Sequence, residues 1–255
     1  SNSSAASDVY KRQEYTQPAL LTVSYIAFKL LNLSPDIGAG HSLGEYSALA
    51  AAGVLDVAGA IYLARERGRL MHEAGKERPG NMVAIIGLDE ASLAEICQET
   101  DTRIANINCP GQLVISGAVE NLSKATELAK SRGAHRAIPL QVSGAFHTPL
   151  MQMAVNGMSE IIANLPFSAP NIPIIGNTTA QPLNTADLIK EELCQQLCNC
   201  VQWQHSVEYI VANGVSTFIE IGPGKVLTGL IKRINRSVKL IDTGDAESVK
   251  NTSIC

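Results

Sequence analysis

Helical and strand-like periodicities alternate along this 255-residue chain. That alternation is the strongest constraint on its fold, because it calls for an α/β architecture in which helices cover sheets. Apolar spacing predicts helices over residues 17–31, 43–52 and 57–75, with Pro18 in the first turn of the first and a short strand at 37–39. The chain then breaks at Lys76-Glu77-Arg78-Pro79-Gly80. A compact unit follows. Strand patterns cover 82–88, 103–108, 112–116 and 137–142, helical patterns cover 90–99 and 120–132, and Pro110-Gly111 turns the chain between the second and third strands. The order βαββαβ is the ferredoxin-like unit. It reads as a small subdomain, residues 81–141, inserted into a larger one made of residues 14–80 and 142–255. Beyond His147 helices and short strands resume, with strands expected at 173–177 and 217–221. Residues 1–13 are polar and patternless and read as a tag or artefact.

Composition narrows the function classes. Hydrophobic residues make up 45% of the chain and charged residues 17%, the balance of a packed globular enzyme and not of a disordered chain. The net charge of -4 gives no reason to expect nucleic acid as a partner. No run is long enough to span a bilayer, so no membrane partner is expected. Of six cysteines only Cys194, Cys198 and Cys200 lie close together, at a spacing that fits no standard zinc pattern. With no secretory signal they read as reduced thiols of a cytoplasmic protein, and no metal site is expected.

Three residues are the candidates for the chemistry. Gly40-His41-Ser42-Leu43-Gly44 matches G-x-S-x-G between a predicted strand and a predicted helix. In that motif a sharp turn exposes a serine hydroxyl, and flanking glycines are expected where packing leaves no room for side chains. The backbone N–H of Leu43, at the start of the helix, is placed to donate to an oxyanion. Serine needs a base, and five histidines are available. His41 is adjacent to Ser42, but neighbours on a sharp turn diverge. His72 falls on the polar side of its helix, His135 precedes a strand of the small unit, and His205 lies in a polar stretch. His147 sits between a strand and a helix, where functional residues concentrate; its position leaves it open between a base and a structural role. Arg67 falls in the middle of the apolar face formed by Ala60, Leu63, Ala64, Leu70, Met71 and Ala74. An inward guanidinium needs an anion. A substrate carboxylate, an internal salt bridge and a side chain snorkelling to water all remain open at this point.

The segment Gly40-His41-Ser42-Leu43-Gly44-Glu45-Tyr46-Ser47-Ala48-Leu49 resembles the nucleophile segment of malonyl-CoA:acyl carrier protein transacylases and the acyltransferase domains of fatty acid and polyketide synthases. The resemblance runs from Thr16 to about Ile234 through Thr16-Gln17-Pro18-Ala19-Leu20, Arg67-Gly68, Asn108-Cys109-Pro110-Gly111-Gln112, Gln196-Leu197 and Gly222-Pro223-Gly224-Lys225-Val226-Leu227. It implies an α/β-hydrolase-like large subdomain and a transfer of malonyl from malonyl-CoA to the phosphopantetheine thiol of an acyl carrier protein, with no cofactor. It also implies roles: Ser42 as nucleophile, His147 as base, the backbone carbonyl of Gln196 orienting that base, Arg67 pairing with the malonyl carboxylate, and Gln17 lining the acyl pocket. Phe146-His147 resembles the pattern linked to malonyl over methylmalonyl units, a preference that one methyl limits to ~1–3 kcal/mol.

The family also begins with a strand and a Gly-Gln-Gly-x-x-Gln-like loop that supplies a second oxyanion donor. No such segment precedes Thr16, so the chain reads as N-terminally incomplete. A serine esterase or thioesterase and an inactive binding module are therefore the alternatives to an active transferase. Lys225, Lys232, Arg233, Arg236 and Lys239 cluster near the C-terminal end. They suit an acidic carrier or, equally, an ordinary solvated face.

Overall fold

The structure is a computed structural model that describes residues 13–252, with side chains from residue 15 onward. The expected tag or artefact at 1–13 lies outside the described residues except for Gln13, which opens the first helix. In chain order the elements begin α1 (Gln13–Leu31), β1 (Gly38–Ala39), α2 (Leu43–Ala51), α3 (Val57–Glu77), β2 (Asn81–Ile86) and α4 (Glu90–Thr100). Next come β3 (Arg103–Cys109), β4 (Gln112–Gly117), α5 (Val119–Ser131), β5 (Arg136–Pro139), a 3-10 turn (Pro149–Met151) and α6 (Gln152–Ala163). The chain closes with β6 (Ile174–Ile175), β7 (Pro182–Leu183), α7 (Ala186–Gln195), α8 (Trp203–Ala212), β8 (Thr217–Ile221), α9 (Val226–Ile234), β9 (Lys239–Thr243) and α10 (Ala246–Asn251).

Helix α3 shows why the large core forms where it does. Asp56 caps it, its side chain accepting from Gly59 N at 2.7 Å. Ala60, Leu63, Ala64, Leu70, Met71 and Ala74 are all buried, as the wheel predicts, and pack with α1 and α6. On the opposite face Arg69 bridges Glu66 and Glu73, both at 2.8 Å. Pro18 lies in the second turn of α1 and not the first, because the helix starts four residues earlier than the apolar spacing indicates.

Three sheets organise the rest. β1 pairs in parallel with β6, which pairs antiparallel with β7. β8 and β9 form a parallel pair. Residues 81–139 build a four-stranded antiparallel sheet in the order β3-β4-β2-β5, with α4 and α5 packed on it over a core of its own that includes Ile85, Leu93, Ile96, Ile115 and Leu122. A single bridge ties this unit to the segment before α8: Ile107 N donates to Val201 O at 2.9 Å and Val201 N to Ala105 O at 2.8 Å.

Two strands are shorter than their patterns. The expected strand 137–142 ends at Pro139 because the chain leaves the sheet there to climb towards His147. The expected strand 173–177 keeps only Ile174–Ile175, since Gly176 O accepts from Ala180 N and turns Asn177 towards the end of β1.

The climb to His147 depends on a close approach. A Cβ on Gly75 of α3 would stand 2.4 Å from Ser143 O and 3.3 Å from Gly144 Cα. Gly75→Ala should therefore destabilise by ~1–3 kcal/mol through overpacking, although alanine gains about 0.5–1 kcal/mol in helix propensity. A urea midpoint equal to or above the parent's would show that the 143–144 segment yields without cost.

Candidate active site

Ser42 stands where β1 runs into α2, with φ 52° and ψ -106°. A non-glycine residue in this region carries strain of about 1–3 kcal/mol, which the surroundings must offset. Asn177 does much of this. Its Oδ1 accepts from Ser42 N at 2.6 Å, and its Nδ2 donates to Gly40 O at 2.7 Å, so one amide clamps both sides of the turn. Gly40 is obligatory, since a Cβ there would lie 2.0 Å from Gly44 C. Gly44 departs from expectation. A Cβ on it would meet nothing within 4 Å among the described residues, because the residue borders a cavity of about 420 Å³ between β1 and β8. Close packing thus explains one of the two motif glycines. Leu43 is the first residue of α2, and N–H groups of a first turn have no partner within their helix.

His147, also at positive φ (60°), meets the serine from the other side. Its Nε2 is 3.0 Å from Ser42 Oγ and its Nδ1 is 2.7 Å from Gln196 O. A carbonyl can only accept, so Nδ1 carries the proton and Nε2 presents a lone pair to the hydroxyl. Burial, and then the Arg67 charge, hold this imidazole down to about 3, while the hydrogen bond to the Gln196 carbonyl acts in the opposite direction. It is therefore neutral near pH 7.

Arg67 is 1% exposed, and among the described residues no carboxylate forms an ion pair with it. Among the described residues, then, it neither snorkels to water nor closes an internal salt bridge. Neutral acceptors surround it instead. Nη1 donates to Gln17 Oε1 at 2.8 Å; Nη2 donates to Ser42 Oγ and to Gln196 Oε1, each at 2.9 Å. The Tyr46 ring centroid lies 5.1 Å from its Cζ, and among the described residues Nε has no hydrogen-bond partner. The serine oxygen can thus donate to His147 while it accepts from a cation.

Residues 4–253 match the acyl transferase domain family. The chain belongs to that family. It is 45% identical to the malonyl CoA-acyl carrier protein transacylase of Bacillus subtilis, over 92% of this chain and 76% of the relative. It is also 45% identical to the protein of that name from Staphylococcus aureus MRSA252, over 93% of this chain and 79% of the relative. Among solved structures, an acyl carrier protein S-malonyltransferase from Vibrio cholerae superposes with a TM-score of 0.93 at 39% identity, covering 96% of this chain and 83% of the other. A type II polyketide acyl-carrier protein in complex with its malonyl-transacylase matches with a TM-score of 0.92 at 39% identity, over 94% and 81%. The mixed α/β fold is that of these enzymes.

In this acyltransferase the structure brings Ser42, His147, Arg67, Gln17 and Gln196 together. Phe146 is buried in the large core beside Gly144. His41 turns away from the serine: its Nε2 is 2.8 Å from Asn108 Oδ1, its ring is tilted against Trp203, and burial lowers its pKa. His205 lies near Glu90 at 3.4 Å, and His72 is half-buried. Sequence reasoning missed three groups. Asn177 lies in a loop and has no periodic signal. Glu45 carried one, since it sits four residues before the buried Leu49 on α2; it is 0% exposed, and burial followed by the charge of Glu192 raises its pKa well above the carboxylate range. Glu192, on α7, is likewise buried, and burial raises its pKa; it accepts from Thr178 N at 2.8 Å and from Thr178 Oγ1 at 2.5 Å. Among the described residues no group of three or more His, Cys, Asp or Glu could hold a metal. Cys97, Cys109, Cys194, Cys198 and Cys200 are free thiols, and Cys255 lies outside the described residues.

The pH behaviour follows from the depressed imidazole. Its folded value lies below the ordinary 6.5, so its contribution to stability is full above about pH 6.5 and is lost as pH falls towards about 3. Labelling of Ser42 by a fluorophosphonate should keep its rate from about pH 8 to about pH 5, with the acid limb below the usual histidine value of ~6.5. A limb centred at or above that value would mean that the base titrates like a solvated histidine.

Proposed function

We infer that this chain transfers a malonyl group from malonyl-CoA to the phosphopantetheine thiol of an acyl carrier protein, through a seryl-acyl intermediate, in fatty acid or polyketide synthesis. The observation that carries the chemistry is the pair of contacts on one oxygen: Ser42 Oγ lies 3.0 Å from a neutral imidazole and 2.9 Å from a buried guanidinium. In the proposed sequence His147 Nε2 takes the Ser42 proton while Oγ bonds to the thioester carbon. The Leu43 N–H donates to the oxyanion. The C–S bond breaks, and the departing coenzyme A thiolate takes the proton from His147. The carrier thiol then gives its proton to His147 and attacks the ester, and Ser42 leaves with that proton. The reaction needs neither a metal nor a redox cofactor.

Arg67 supplies the selectivity. A malonyl carboxylate is the anion that this guanidinium lacks, and Nε is a donor still unspent. Gln17 lines the acyl pocket through its contact with Nη1, and Phe146 limits branching beside the acyl group. An esterase is not favoured: His147 Nδ1 meets a peptide carbonyl where a hydrolase triad places a carboxylate.

The architecture is read as an α/β-hydrolase-like body of residues 14–80 and 142–255 with a ferredoxin-like unit, residues 81–141, inserted into it. The strand order β3-β4-β2-β5 and the separate core of that unit support this. No helix among the described residues is long and apolar enough to cross a membrane. We place the protein in the cytoplasm, which suits its free thiols. For the carrier, Lys225, Lys232, Arg233, Arg236 and Lys239 are exposed around α9; of these Lys225 is engaged with Asp242 at 3.0 Å and Arg233 donates to Gln112 Oε1 at 2.6 Å.

Ser42→Ala should form no malonyl adduct in intact-mass spectra after incubation with malonyl-CoA; an adduct on the variant would move the nucleophile elsewhere. In Arg67→Ala, malonyl kcat/KM should fall by about a hundredfold or more relative to acetyl, because the carboxylate is then buried without a partner. An unchanged malonyl-to-acetyl ratio would remove Arg67 as the carboxylate anchor.

A further inference from the structure

Behind the reacting groups lies a carboxylate that touches none of them. Glu45 is fully buried, on the turn of α2 that follows Ser42. One of its oxygens accepts from the Asn177 backbone N–H at 3.3 Å; the other accepts from Gln196 Nε2. The Gln196 amide therefore has a carboxyl acceptor on one side and a cationic donor on the other, since its Oε1 accepts from Arg67 Nη2 at 2.9 Å. Its Nε2 also donates to Ser42 O at 3.0 Å. This arrangement fixes the amide. Turned over, Gln196 would point its oxygen at a carbonyl and a carboxylate, and its NH2 at a guanidinium.

We propose that Glu45 is a positioning residue for malonyl selectivity, acting through the side chain of Gln196 to hold the Arg67 guanidinium in place. The proposal rests on the functional reading above and extends it to a residue outside the reacting set. Three observations carry it. Both Glu45 oxygens face donors, so the site needs two acceptors; an amide in its place leaves one donor facing another. Among the described residues Arg67 is held by neutral acceptors, so the orientation of each acceptor bears on where the guanidinium rests. The base is held separately: His147 Nδ1 bonds to the backbone carbonyl of Gln196, which a side-chain substitution leaves in place. Glu45 and the Gln196 side chain therefore bear on the carboxylate anchor more than on the serine and its base. A buried carboxylate with a raised pKa agrees with this dry setting.

The test is a double-mutant cycle on Glu45→Gln and Gln196→Met, with kcat/KM measured for malonyl-CoA and for acetyl-CoA and with Ser42 labelling by an uncharged fluorophosphonate. Each single variant should lower the malonyl-to-acetyl ratio by about tenfold to a hundredfold, the worth of a hydrogen bond to a charged group, and Glu45→Gln should keep labelling within a few-fold of the parent. On the Gln196→Met background, Glu45→Gln should change the ratio less than about twofold, because the residue it acts through is gone. Should Glu45→Gln not fold, Glu45→Asp keeps the carboxyl group but retracts it; its smaller loss should likewise vanish on the Gln196→Met background. Independent effects that multiply would overturn the proposal, as would malonyl transfer, acetyl transfer and labelling that fall together. Malonyl transfer by the parent chain tests the functional reading, and the cycle is read relative to that rate, so the two failures are distinct.

Discussion

Arg67 is the largest fully buried side chain of the described residues, and it carries a charge. Burying an unpaired cation costs several kcal/mol, so the surrounding structure has to recover that cost without using an anion. It does so by convergence. Gln17 arrives from α1, Tyr46 from α2, Ser42 from the turn after β1, and Gln196 from the end of α7. These elements are far apart in sequence, and the packing of α3 against α1 and α6 brings them to one point. The guanidinium is thus solvated by the protein in place of water, and burial lowers its pKa with Tyr46 and Glu45 opposing. On the proposed role of Arg67, a site built this way is ready for a carboxylate before one arrives.

The second constraint is backbone strain. Ser42 and His147 are both non-glycine residues with positive φ, and their side chains meet at 3.0 Å. Each is held by a partner distant in sequence: Asn177 grips the turn at Ser42, and Leu197 O accepts from His147 N at 3.1 Å. Gly75 lets α3 approach the segment that leads into His147. Strain of this kind survives only where the surroundings over-determine the geometry, and the payoff is precise placement of two side chains.

How much of this the sequence discloses depends on whether a residue leaves a periodic trace. Arg67 does, because a charge inside an apolar stripe violates helical patterning, and its burial follows from the wheel. The G-x-S-x-G turn does too, and Gly40 behaves as the motif requires. Gly44 does not, because its surroundings within the described residues are set by packing between β1 and β8 that no local pattern encodes. Asn177 is silent for the same reason: it acts 135 residues from Ser42, and nothing around it is periodic. His147 stays open between base and structural residue until the resemblance is added, since a loop position has no wheel. Strand ends were the least legible. Where the chain leaves a sheet for the site, at Pro139 and Gly176, residues with strand propensity carry on beyond the pairing. The side chain of Gln196 is a different case. The resemblance pointed to its carbonyl, and only the three-dimensional arrangement reveals that its amide also joins Arg67 to Glu45.

On the proposed mechanism, the guanidinium has opposite effects on the two partners of the proton transfer. As Ser42 loses its proton, the growing charge on Oγ lies 2.9 Å from a cation and is stabilised. As His147 gains that proton, the same cation opposes it, and it is the second cause of the depressed imidazole. On the proposed role, a malonyl carboxylate paired with Arg67 offsets much of the cation's field and so relieves the histidine, at the cost of part of the support for the alkoxide. An acetyl group brings no such charge and leaves the Arg67 field on His147 unopposed. Selectivity on this view has two sources at one residue. The carboxylate gains a partner that it could not be buried without, and by taking that partner it moves the base towards the range in which it can accept a proton. A histidine held by a carboxylate would be basic whatever the substrate. A histidine held only by the Gln196 carbonyl remains responsive to the charge that the substrate brings.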